Sequence, residues 1–136
     1  MSDLSHCLLT QAFDYASIAR RRRENYQVLA TELAEVAVFK QLPGDVVPLG
    51  FPIRHAERDR IRQSLFDDCI YPPVHWPIAG IVPPEFHGSH RLAGDIMTLP
   101  CDQRYDRCDM ERLLSCLRRP ALRFLGTATT CEEAAL

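Results

Sequence analysis

Ile96-Met97-Thr98-Leu99-Pro100-Cys101-Asp102, followed after three residues by a run from Asp106 to Leu117 (Asp-Arg-Cys-Asp-Met-Glu-Arg-Leu-Leu-Ser-Cys-Leu), is the stretch on which the fold reading turns. Its first four residues form a short apolar run closed by proline, the pattern of a buried strand. In the second part Met110, Leu113, Leu114 and Leu117 fall at i, i+3, i+4 and i+7, which is one stripe of an α-helix. Asp106 can cap that helix, because its carboxylate accepts the unpaired amide hydrogens of the first turn. Pro120 is expected to stop it. A strand that passes the chain to an amphipathic helix predicts a layered fold with one shared apolar core.

The same signals run upstream. Asp14 is expected to cap a long helix over residues 14–37, with Tyr15, Ile18, Tyr26, Leu29, Leu33 and Val36 on one face. Residues 1–13 hold a shorter leading helix. Arg22 falls inside the apolar stripe, where a guanidinium needs a counter-charge; Asp102 or Glu24 is expected to provide it. Residues 36–42 read as a short strand stopped by Pro43 and Gly44. Residues 46–53 read as a second strand, bent or at an edge, because Pro48 and Pro52 have no amide hydrogen for a ladder. A helix over 56–67 turns Ile61 and Leu65 inward, and residues 69–71 make a brief strand. Residues 72–84 are too rich in proline for regular structure. A helical turn is expected at 90–95. The predicted class is α+β: a small antiparallel or mixed sheet, a long N-terminal helix, and further helices packed on one side. One domain is expected over residues 1–124, with a frayed tail at 125–136.

Composition narrows the function classes. With 136 residues, 46% hydrophobic and 25% charged, the chain suits one globular domain. A net charge of -2 gives no field that favours nucleic acid or an anionic membrane. No apolar run approaches the roughly 20 residues of a membrane span, and no export signal is read at the N-terminus. The expected location is therefore cytoplasmic, with the six cysteines as reduced thiols. The run Arg20 to Arg23 points around most of a helix at about 100° per residue, so it reads as solvated surface, not as one basic face.

Four pieces in order resemble a known family. Arg22-Arg23-Glu24-Asn25-Tyr26 on a long helix is similar to the helix that follows the cofactor domain in the DegT/DnrJ/EryC1/StrS aminotransferases. Val47-Pro48-Leu49-Gly50-Phe51-Pro52-Ile53 resembles their small-domain strand. Ile70-Tyr71-Pro72-Pro73-Val74-His75-Trp76 resembles their Pro-x-His loop. Met97-Thr98-Leu99-Pro100-Cys101 and the last helix complete the match, over residues 14–117. The resemblance implies the C-terminal small domain of a pyridoxal-phosphate enzyme of fold type I, one that aminates keto sugars carried on nucleotides. It implies His75, Trp76, Arg104 and Tyr105 as substrate-side residues that orient the ligand and exclude water.

The chemistry of the cofactor argues against catalysis by this chain alone. Its Schiff base needs a primary amine. Fifteen of the sixteen basic residues are arginine, and the single lysine, Lys40, does not match the family's position. No catalytic residue, cofactor site or metal ligand is therefore assigned. Trp76 and Tyr71 are expected either to cover the core edge or to meet an absent large domain. The expected partners are a second copy of the chain or a separate large-domain polypeptide. Two other readings stand beside this one. The first is a non-enzymatic binding or dimerisation module with an exposed apolar face. The second is a zinc domain drawing on Cys101, Cys108, His87 and His90. A nucleophilic role for Cys101 or Cys108 lacks an adjacent base in the sequence.

Overall fold

Ser2 opens the first helix, α1 (Asp3–Gln11), by accepting the Ser5 amide. The structure is a computed structural model and describes residues 2–119; the expectations for Pro120, for the domain limit at 124 and for the tail lie outside them. Asp14 then caps α2 (Tyr15–Glu32), taking the Ser17 amide at 3.0 Å and the Ser17 hydroxyl at 2.7 Å. Tyr26, Leu29, Ala30 and Leu33 are buried, whereas Tyr15 near the start is exposed. The predicted stripe is thus covered only along the second half of the helix.

The helix ends at Glu32, five residues before the expected 37. Leu33 leaves helical geometry, and the next residues turn back along the sheet. There the predicted strand at 36–42 shrinks to one bridge, Ala37 to Ile53. Its partner is β1 (Phe51–Arg54), shorter than the predicted 46–53. The Val38 amide donates to the Pro52 carbonyl and the Arg54 amide to the Val36 carbonyl. In a strand the amide and carbonyl of one residue point to the same side. Pro52 therefore turns its missing donor toward residues 36–38, and the ladder stops there.

Helix α3 (Arg58–Asp67) buries Ile61 and Leu65, as their spacing predicts. It closes with the Ile70 amide on the Leu65 carbonyl and the Cys69 amide on the Phe66 carbonyl, with Cys69 at φ 60°. This is a left-handed helix end carried by cysteine where glycine is usual. A residue in that conformation cannot pleat, so the brief strand expected at 69–71 does not form. The proline-rich loop is irregular, as expected, up to α4 (His87–Asp95), which starts three residues before the predicted turn.

Strand β2 (Ile96–Leu99) pairs antiparallel with β1, Phe51 opposite Leu99 and Ile53 opposite Met97. These four residues are buried and share one face of the two-stranded sheet. The chain ends its described part in α5 (Arg107–Leu117), opened by a reciprocal capping box between Asp106 and Asp109. Met110, Leu113, Leu114 and Leu117 are buried, as predicted. Helices α2, α3 and α5 close over the sheet in a single cluster, where Tyr26 meets Phe51 edge-on at 4.7 Å. The fold is α+β. Helices α1 and α4 add no buried residue to it.

Candidate functional site

The site depends on how the chain leaves β2. Pro100 ends the strand, and Asp102 builds a turn by accepting the Arg104 amide at 3.0 Å. From the core side, Asn25 of α2 holds that turn. It is buried and donates to the carbonyls of Asp102 at 3.0 Å and Tyr105 at 2.9 Å. A buried amide that satisfies two carbonyls fixes a loop which would otherwise present them to an apolar core. On the far edge of β2 the Thr98 amide donates to the Pro73 carbonyl at 3.0 Å, which anchors the loop bearing His75.

These two anchored segments face each other across a cleft of about 420 Å³. Its apolar lining includes Leu49, Ile70, Tyr71, Leu99 and Met110. The polar lining includes His75, Thr98, Asp102, Arg104, Tyr105 and Arg112. Three of the four sequence-predicted residues, His75, Arg104 and Tyr105, are therefore brought together. Trp76 is not among the lining residues. Its backbone is left-handed, at φ 54°, and the side chain is 78% exposed. Tyr71 is 67% exposed at the rim. Neither ring covers the core edge, which leaves the other expected placement, against a large domain. A bulky residue held left-handed is an uncommon, strained state.

The charges in the cleft are unevenly matched. Arg104 grips Asp102 through two hydrogen bonds, at 2.9 and 2.8 Å. Donation from the Arg104 side chain holds the Asp102 carboxyl below the usual carboxylate range, and the same contact raises the guanidinium. Asp109 is occupied in the capping box, accepting the Asp106 amide at 3.0 Å. Arg112 donates only to the Asp68 carbonyl, at 2.8 Å. It has no carboxylate partner among the described residues.

Arg22 also differs from expectation. It binds the Gln103 side-chain oxygen at 2.7 Å and the Pro48 carbonyl at 3.0 Å. Asp102 is taken by Arg104, and Glu24 lies beside Arg20 and Arg21, each at 3.9 Å. Half-buried, the guanidinium of Arg22 is satisfied by neutral oxygens in place of the predicted ion pair.

A second, wider groove of about 670 Å³ runs between α2 and α5. Its charges cancel locally, Arg107 with Glu111 at 2.9 Å and Arg118 with Glu32. The four residues of the zinc reading are not gathered: no group of three or more potential metal ligands occurs among the described residues. His90 instead faces the Val82 and Pro83 carbonyls. Cys7, Cys69, Cys101, Cys108 and Cys116 are free thiols. Burial pushes the Cys101 thiol up to about 11, so at neutral pH it is protonated and no nucleophile.

Sequence reasoning did not find Asn25 as the anchor, or Arg112 as the uncompensated charge. The signal for Asn25 was present. It stands four residues before Leu29, on the apolar stripe, where a polar residue must find partners. Among the described residues no helix is long and apolar enough to cross a membrane. The chain matches no known protein family and no curated protein.

Proposed function

We propose that this chain is the ligand-covering small domain of a pyridoxal-phosphate nucleotide-sugar aminotransferase, and that it completes a pocket whose floor belongs to another polypeptide. The observation that supports this reading best is the convergence of His75, from the proline-rich loop, and of Arg104 and Tyr105, from the turn after β2, on one cleft with an apolar rim. Leu49 and Trp76 stand out from the surface, 80% and 78% exposed. On this reading the partner covers both side chains.

The residues of the chain do not fit the cofactor itself. Lys40 is exposed and lines neither the cleft nor the groove. No step through the cofactor is therefore derived. In an assembled enzyme the cofactor would supply the electron sink for amino transfer, on a lysine of the partner. The work left to this chain is to bind and orient the sugar nucleotide with Arg104, Tyr105 and His75, and to keep water out with Tyr71 and Trp76.

The test is reconstitution with a lysine-bearing large domain of the family, expressed without its own small domain. The expected outcome is amino transfer to a nucleotide-linked keto sugar only in the mixture, with a blue shift of the Trp76 emission as the surface is covered. Transfer by this chain alone overturns the proposal, as would a visible aldimine band that is lost in Lys40→Ala.

The same exposed apolar residues support a second reading, a dimerisation module with no ligand. Light scattering on the eluting chain separates the two, since a monomer at high concentration removes the dimer.

A further inference from the structure

The cleft is complete in one respect that needs no second polypeptide: its walls and its charge both come from this chain. It is lined mainly by apolar groups, with a few polar ones converging, and its volume of about 420 Å³ suits a small molecule. The acids facing it are both committed. Asp102 is neutralised by Arg104 through two hydrogen bonds. Asp109 sits at the N-terminus of α5, where the helix dipole offsets a negative charge and the Asp106 amide occupies one oxygen. The bases are not equally committed. Arg112 spends one donor on the Asp68 carbonyl. The nearby Asp68 carboxylate is held by Arg119 at 2.8 Å. Arg112 thus brings one positive charge and free guanidinium donors to a mostly apolar cavity. Two tyrosines stand with it: Tyr71 at the rim, its ring 5.2 Å from Phe66, and Tyr105, half-buried beneath Arg104.

From this arrangement we propose that the chain by itself binds a small aromatic monocarboxylate, with the carboxylate on Arg112 and the ring against Tyr71 and Tyr105. A guanidinium takes a carboxylate through two parallel hydrogen bonds, and aromatic walls favour a flat body. A single charge is specified because, of the two guanidiniums lining the cleft, Arg104 is paired with Asp102 and Arg112 with no carboxylate among the described residues. The assignment does not rest on the covering role proposed above, since it concerns the isolated chain.

Calorimetric titration with four probes tests it: phenylacetate, phenylacetamide, acetate and phenyl phosphate. The expected result is saturable binding of phenylacetate, with the neutral amide weaker by about tenfold, the cost of losing a charge-assisted pair. Acetate, which lacks the ring, should give no saturable heat. Phenyl phosphate should bind no more tightly than phenylacetate. Arg112→Gln should lower phenylacetate affinity to that of the amide, and Arg112→Lys should recover part of it. Equal affinity for acid and amide, no binding of phenylacetate, or unchanged affinity in Arg112→Gln would each overturn the assignment. Should the glutamine variant fail to fold, the acid–amide comparison on the unaltered chain decides alone.

Discussion

Helices α1 and α5 begin alike. Each has an N-cap side chain accepting the amide three residues on, and each carries leucines at helical spacing. In α5 those leucines are buried against α2 and α3. In α1 no residue is buried, and Leu4, Leu8 and Leu9 face outward. A cap and a stripe determine where a helix can form; they do not determine what covers it. Helices of 9 and 11 residues are both marginal in water without tertiary packing; the core holds α5, whereas α1 buries no residue against it. The same division separates α4, which buries nothing, from α3.

The largest expected effect sets these two helices against each other. Leu117 is fully buried, and Leu117→Ala should cost about 2–5 kcal/mol of unfolding free energy. Leu8 is 45% exposed, and Leu8→Ala should change stability by less than about 0.5 kcal/mol. Urea unfolding followed by circular dichroism measures both. Equal losses would break the comparison, because α1 would then belong to the cooperative unit.

Much of the frame was legible because its signals are local. Asp14 and Asp106 announce their helices, and the stripe of α5 is buried residue for residue. The strand limits were not legible, because they depend on which side of β1 lost a donor. Pro52 turns that gap toward residues 36–38, and only the register reveals it. The end of α3 was hidden for another reason: cysteine gives no cue for a left-handed residue where glycine would have. In the cleft, His75, Arg104 and Tyr105 had been singled out by the resemblance, and they line it together. For Asn25 the apolar stripe signals that partners are needed, but not which, because they lie 77 and 80 residues away in the chain. Of the two placements expected for Trp76, the core edge is not taken: the residue is left-handed and its side chain exposed.

A smaller effect contrasts a glycine of the packed region with one of the periphery. Gly50 passes so close to β2 that an added Cβ would lie 2.3 Å from the Thr98 methyl and 3.2 Å from the Leu99 carbonyl. Gly50→Ala must push Thr98 into the cleft or part the strands, and it should cost about 1–3 kcal/mol. At Gly94, inside α4, nothing lies within 4 Å of the same atom. Gly94→Ala should leave stability unchanged or raise it by up to about 1 kcal/mol, as alanine does within a helix. Thermal melts should show a lower Tm for Gly50→Ala and an equal or higher one for Gly94→Ala. A loss in both would mean that α4 is held more tightly than its exposure implies.

The smallest effect tests the caps themselves, which is where the two helices look most alike. Asp106 accepts the Asp109 amide at 3.1 Å, and Asp109 returns the bond to the Asp106 amide at 3.0 Å. Because α5 unfolds only with the core, the loss of this cap is felt by the whole domain, and Asp106→Ala should cost about 1 kcal/mol. Ser2 makes the matching bond to the Ser5 amide at 3.2 Å. Ser2→Ala removes it from a helix that can fray by itself, so the global unfolding free energy should not change. The effect should appear instead as faster amide exchange confined to α1. A drop in global stability from Ser2→Ala equal to that from Asp106→Ala would mean that α1 is docked and unfolds with the core.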